Sequence, residues 1–185
     1  EYDDAGRCIA TTDAKGYRTD FVYDDMDNLV LVVDALGNEY RFEYDAMGNQ
    51  VAEEGPLGAR IERTYDERGR LASVTDADGG VTSYEYDRAG RVVAVIDARA
   101  GVTRTEFDEA TGQPKATVDP LGGRTEMVYD EAGRVGEQTD AAGCVVNTFY
   151  DRMGRVAKQV DALGLVTDYE YDAAGRLVRT VDSLG

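Results

Sequence analysis

The chain has no histidine, two cysteines and three prolines, and its 20 lysines and arginines face 37 aspartates and glutamates. Without histidine there is no Ser–His or Cys–His nucleophile pair and no imidazole ligand for a metal. Cys8 and Cys144 fall in different slots far apart in sequence, so they make neither a disulfide framework nor a zinc site. They are read as free thiols, which leaves the redox compartment open. The shortage of basic residues sets a net charge of −17. A nucleic-acid binder needs a basic footprint for phosphates, so nucleic acid and anionic membranes are expected to be repelled. No signal peptide or membrane-spanning run occurs, and no membrane insertion is expected. Helical periodicity is missing too, which removes any phosphate loop that opens a helix. Carboxylate pairs are too numerous to single one out. The reading is therefore no catalytic, cofactor-binding or metal-binding residues, no cofactor, and no enzyme.

What the chain does have is a repeated pair. Tyr2-Asp3, Tyr23-Asp24, Tyr44-Asp45, Tyr65-Asp66, Tyr86-Asp87, Phe107-Asp108, Tyr129-Asp130, Tyr150-Asp151 and Tyr171-Asp172 follow one another at 21 residues, except for a step of 22 after Phe107. One inserted residue in Glu109-Ala110-Thr111-Gly112 accounts for the exception. Self-similarity at this length marks one supersecondary unit used about nine times, so residues 1–185 read as a single repeat array. Neither end resembles the capping repeat that normally closes a solenoid. The array, which stops at Asp182-Ser183-Leu184-Gly185, is expected to be a piece of a longer protein.

Counting each repeat from its Tyr as zero, Asp stands at +1, Gly at +4, Arg usually at +5, Asp again at +11 and Gly again at +14. Asp-x-x-Gly suits a type I turn, because the Asp side chain bonds forward to backbone N–H groups and Gly accepts the left-handed conformation. Gly69, Gly90, Gly133, Gly154 and Gly175 are such residues, and with the nine aromatic-Asp pairs they are the expected structural anchors. The second arm alternates, with Tyr40, Phe42 and Tyr44 on one face and Arg41 and Glu43 on the other. Thr82, Tyr84 and Tyr86 against Ser83 and Glu85, and Thr167, Tyr169 and Tyr171 against Asp168 and Glu170, repeat the pattern. Period two with aromatic and β-branched residues marks a half-buried strand. The first arm is apolar at +6 and +10, as in Leu29 and Val33 or Val92 and Ile96. The fold class is all-β: tandem 21-residue β-hairpins of seventeen strands in a long antiparallel sheet, large enough to curl. A parallel coil with the same period competes, but two reversal signals per repeat favour the meander. A Tyr- and Thr-rich inner face fits a wall around a wet or filled cavity better than a dry sandwich.

Tyr-Asp-x-x-Gly-Arg followed by Asp-x-x-Gly resembles the YD repeat of Rhs (rearrangement hotspot) proteins, which also occurs in Tc toxin complexes and teneurins. The resemblance covers essentially the whole chain. It implies a sheet that spirals into a hollow shell, often around a C-terminal toxic domain. It further implies a secreted or cell-surface, bacterial setting, with the cargo domain of the same parent chain and, through flanking domains, a secretion machinery as partners. Departures are local: Asp27 at a +4 Gly, Gly55 at a +11 Asp, Ala100 at a +14 Gly. Pro114 to Gly123 resembles the family's Pro-x-x-x-x-Asp-Pro-x-Gly-Leu self-cleavage signature without its final Leu, and is read as an ordinary turn at Asp119-Pro120. Asp76-Ala77-Asp78-Gly79 opens like a calcium loop but lacks the later ligands. Arg7, Arg70, Arg91, Arg134, Arg155 and Arg176 are read as an exposed inter-repeat ion-pair row beside the +1 aspartates. The functional expectation is a structural shell segment that encloses a toxic or unfolded cargo. The alternative is an extracellular module that grips glycans or a receptor through the arginines and exposed tyrosines.

Overall fold

Two turn signals per repeat cut the chain into short arms, and each arm becomes a strand. The computed structural model describes residues 1–183, and among them seventeen strands and no helix form. The first arms are β1 (Ala10–Thr12), β3 (Leu29–Val33), β5 (Gln50–Glu54), β7 (Leu71–Thr75), β9 (Val92–Ile96), β11 (Pro114–Val118), β13 (Val135–Thr139), β15 (Val156–Val160) and β17 (Leu177–Asp182). The second arms are β2 (Arg18–Tyr23), β4 (Glu39–Tyr44), β6 (Arg60–Tyr65), β8 (Val81–Tyr86), β10 (Val102–Phe107), β12 (Arg124–Tyr129), β14 (Val145–Tyr150) and β16 (Val166–Tyr171). Leu184 and Gly185 of the terminal turn lie outside the described residues.

The chain divides into a unit of Glu1–Tyr86 with Val95–Ala100 and a unit of Asp87–Ala94 with Gly101–Gly185. In the first, β1 to β8 pair antiparallel in chain order. In the second, β10 to β17 do the same. A parallel coil is thereby excluded within each unit.

The turns obey the chemistry of their residues. In Asp45-Ala46-Met47-Gly48, the Asp45 carbonyl accepts the Gly48 N–H at 3.0 Å, and the Asp45 N–H donates to the Asn49 carbonyl at 3.0 Å. Asp45 Oδ1 also accepts the N–H groups of Met47 and Asn49, at 2.8 and 2.9 Å. This is a type I turn closed by a left-handed residue, the usual three-residue hairpin loop. Its closing glycines have φ between 74° and 88°. Asp27 and Ala100 take φ of 66° and 63° in the same role, so both turns survive their departures. Gly55-Pro56-Leu57-Gly58 keeps the backbone bonds, at 2.9 Å each, without an aspartate to cap it. The inserted residue of the sixth repeat is absorbed in the turn, where the Gly112 N–H reaches back to the Asp108 carbonyl at 2.9 Å.

One feature is absent from the sequence reading. Where each second arm meets the following first arm, the register slips by one residue: Val22 pairs with Leu31 but Tyr23 with Leu29, leaving Val30 unpaired. The same β-bulge skips Val51, Ala72, Lys115, Gly136, Ala157 and Val178. A bulge bends its strand and re-aims the side chain opposite, and here that residue is the repeat's Tyr or Phe every time. Neither face builds a conventional core. The buried hydrophobic residues are alanines, at 0–1% exposure, and no larger side chain is fully buried among the described residues.

Candidate functional site

Pairing fixes which side chains share a face. Tyr40 lies opposite Val32, and Phe42 opposite Glu53, on the face that carries the tyrosines. Arg41 and Glu43 lie on the reverse, opposite Leu31 and Ala52. Glu43 and Glu170 are more than half exposed, and Glu85 is exposed as well. The alternation expected of the second arm is the one observed.

On the tyrosine face, one recurring cluster fastens a repeat to the next at five of the steps. Arg134 closes its own turn, with Nε and Nη2 donating to Asp130 Oδ2 at 2.8 and 2.6 Å. Its guanidinium then lies 4.3 Å from the centroid of the Tyr150 ring of the following repeat. The Tyr150 hydroxyl donates back to the Val135 carbonyl at 2.9 Å. Val135 is the first residue of the bulge, so the hydroxyl satisfies a carbonyl at the point where the ladder is interrupted. Arg70 over Tyr86, Arg91 over Phe107 and Arg155 over Tyr171 match at 4.3–4.4 Å, and Arg7 over Tyr23 is looser at 5.2 Å. Tyr23, Tyr65, Tyr86 and Tyr171 make the equivalent hydroxyl bond, to the carbonyls of Cys8, Gln50, Leu71 and Val156.

This corrects the expected inter-repeat ion-pair row. The +1 Asp–Arg pairs lie within a repeat, four residues apart, and apart from Arg7, which also pairs with Asp27 of the next repeat, it is the stack on the next ring that joins repeats. Nor is the row fully exposed: Arg70, Arg91, Arg134 and Arg155 are half-buried, while Arg176, which stacks on no ring among the described residues, is 80% exposed. The side chain of Arg70 holds the Asp66 carboxyl down at about 2, aided by the Arg70 amide. Arg134 likewise lowers Asp130. Asn28 and Asn49 substitute for arginine by donating Nδ2 to Asp24 and Asp45 at 3.0 and 2.9 Å. Both are too short to reach the ring beyond.

The reverse face carries a second motif. Arg60 binds both Glu43 oxygens, at 2.8 and 2.9 Å, and Glu62 at 2.9 Å. Ala52, paired with both glutamates, is buried beneath them. Arg18 with Glu1 and Asp20 repeats the arrangement beside Ala10, and Arg124 with Glu106 and Glu126 repeats it beside Ala116. The arginine stems cover the methyl groups while the charged heads stay wet. Each bidentate pair holds its glutamate below the usual carboxylate range.

Shallow concavities interrupt the tyrosine face. One in the first unit, of about 570 Å³, is walled by Tyr40, Phe42 and Ile61 and rimmed by Glu53, Asp76 and Asp78. One in the second, of about 400 Å³, is lined by Gln138, Asp140, Thr148, Tyr150 and Gln159 among valines, with Cys144 at its margin. Cys8 and Cys144 are both free thiols. At Asp119-Pro120 the carboxylate is spent capping its own turn, with Oδ1 accepting the Leu121 and Gly123 N–H groups at 2.8 Å each. Asp76 caps its turn in the same way, and among the described residues no cluster of His, Cys, Asp or Glu is placed to hold a metal ion.

The RHS Repeat family profile matches residues 2–38, 27–60, 65–102, 107–143 and 150–185. The chain belongs to the RHS repeat family. No curated protein sequence matches it. Among solved structures, TcdB2-TccC3 without its hypervariable C-terminal region superposes on the RHS array with a TM-score of 0.75 and 20% identity, covering 98% of this chain and 11% of that one. TcdB2-TccC3-TEV gives 0.57 at 18% identity, over 97% of this chain and 12% of the other. TcdB2-TccC3-Cdc42 gives 0.55 at 18% identity, over 98% and 14%. At these identities the likeness is one of fold. The RHS array spans less than a sixth of the length of those chains.

Proposed function

We propose that residues 1–185 are one continuous RHS array forming a stretch of wall in the hollow shell of a larger, secreted bacterial toxin. The shell encloses a toxic or unfolded C-terminal domain of the same parent chain. The mechanism is containment: a closed wall keeps the cargo from the producing cell until delivery, and domains flanking the repeats supply the secretion route. The array does no chemistry of its own, and its aromatic-Asp pairs and turn glycines serve as structural anchors.

One observation carries this reading. Within each unit the register puts the ring positions on one face, where most are half-buried and held by repeat-to-repeat contacts, while no side chain larger than alanine is fully buried among the described residues. A sheet that stabilises itself along its length, rather than by packing a dry core, is suited to enclosing something else. The reading is supported by the shared fold of the TcdB2-TccC3 portion that the chain resembles. Limited proteolysis of the intact parent tests the proposal. Cargo inside the shell should be digested far more slowly than the same domain freed from it. Equal rates would overturn containment and leave surface recognition of glycans or a receptor as the better account.

A further inference from the structure

The concavity of the first unit has two rings and several acids, where its counterpart in the second has one of each, Tyr150 and Asp140. Its wall is aromatic and aliphatic, from Tyr40, Phe42 and Ile61, and its rim is acidic, from Glu53, Glu54, Asp76 and Asp78, with no lysine or arginine in the lining, although Arg60 pairs with Glu54 at 3.7 Å. The space opens beside Gly55, which stands where the other second turns carry an aspartate. Of the rim acids, Glu53 is already held by Arg63 at 3.2 Å and by Gln50 at 2.8 Å. Asp76 uses Oδ1 on its own turn, and its Oδ2 lies over Gly80, which has no side chain to meet it. The Asp78 carboxylate pairs with no cation among the described residues. An uncompensated acid beside an aromatic wall is chemistry for a cation on an apolar stem: rings attract the charge through their faces and pack the methylenes, while the carboxylate binds the head. A metal ion has no use for the rings, and an acidic or neutral side chain has none for the rim.

We propose that this concavity takes the lysine or arginine side chains of an extended polypeptide passing along the tyrosine face. The inference rests on the container reading only for the source of that polypeptide, the enclosed cargo. The charge of the whole chain, −17, works in the same direction by drawing a basic segment to the wall.

The test uses the isolated chain and a capped Gly-Gly-Lys-Gly-Gly peptide, followed by nuclear magnetic resonance of the Tyr40, Phe42 and Ile61 side chains. Saturable shifts are expected there, with the arginine peptide equal or tighter and the acetyl-lysine peptide at least about five-fold weaker. Phe42→Leu should weaken the lysine peptide about three-fold by removing one ring. Asp78→Asn, on an exposed turn whose capping acid is Asp76, should do likewise without altering the fold, and decides the matter alone if Phe42→Leu does not fold. Equal binding of lysine and acetyl-lysine peptides would overturn the proposal. So would equal shifts at Gln138 and Thr148 in the other concavity, or spermidine saturating the site as tightly as the peptide, since each means mere attraction to an acidic surface. This readout is independent of the proteolysis experiment, so a wall that binds lysine yet contains nothing, or contains cargo without binding lysine, is recognised as such.

Discussion

Two stretches of the array solve the same problem differently. In the second unit, Arg134 and Arg155 each close their own turn and then lie over the ring of the next repeat, Tyr150 and Tyr171. In the first, Asn28 and Asn49 close theirs with hydrogen bonds of similar length but leave Tyr44 and Tyr65 without a guanidinium above them. The difference separates two jobs that the arginine combines. Closing a turn needs one short donor near the aspartate. Fastening one repeat to another needs a side chain long enough to pass its own aspartate and flat enough to stack. Asparagine does the first job only, so the steps into Tyr44 and Tyr65 rest on the strand ladder and, for Tyr65, on its hydroxyl bond to Gln50.

The comparison is broken most severely at the turn itself. Gly154→Val forces a β-branched residue to φ near 81°, at a place where its Cβ would also come within 3.7 Å of the Arg134 guanidinium. Urea denaturation should show a loss of about 2 kcal/mol. Gly48→Val has the same backbone strain with nothing within 4 Å and, since 3.7 Å is an ordinary contact, should lose about as much. Removing the fastener comes next. Arg134→Ala should cost about 1 kcal/mol or a little more through the lost stack, whereas Arg176→Ala, with no ring to cover, should sit near zero. Equal losses would mean that the Asp pair, and not the stack, carries the arginine's effect. The reverse experiment sharpens the contrast: Asn49→Arg should place a guanidinium over Tyr65 and stabilise by about 0.5–1 kcal/mol. The smallest effect is acidic. Asp66 has a folded pKa of about 2, below the roughly 3.9 of an unfolded aspartate. Its contribution is therefore complete above about pH 4 and disappears as pH falls through about 2. Asp45, held chiefly by the Asn49 side chain, is lowered too. Carboxyl resonances followed against pH should put Asp66 near 2 and Asp45 below the free value, and a midpoint at 3.9 for either would remove the turn from this account.

Much of this was readable from the residues. Asp-x-x-Gly twice per period predicts the seventeen strands and their antiparallel order, because turn chemistry is local. The bulge is not legible in the turn pattern, though the odd period leaves arms of five and six residues that cannot pair one-to-one. The stack is hidden for another reason. Arg134 and Tyr150 are ordinary members of their rows, and nothing in either row says which ring lies above which guanidinium until the bulge has re-aimed the ring. The acid-rimmed concavity depends on an omission, Gly55, which in sequence looks like a harmless turn variant.

The extra residue of the sixth repeat bears on how such an array can be edited. Because Thr111 is taken up inside its turn, Glu106 still pairs with Ala116 as Glu43 pairs with Ala52, and every later side chain keeps its face. The turns thus behave as the spaces between words, free to lengthen without changing the text. A single residue added within β11 would shift the frame instead, sending the remaining side chains of that strand to the opposite face. Foreign peptides, protease sites or labels grafted at Thr111 should leave both faces legible, which makes that turn the natural place to open this chain for engineering.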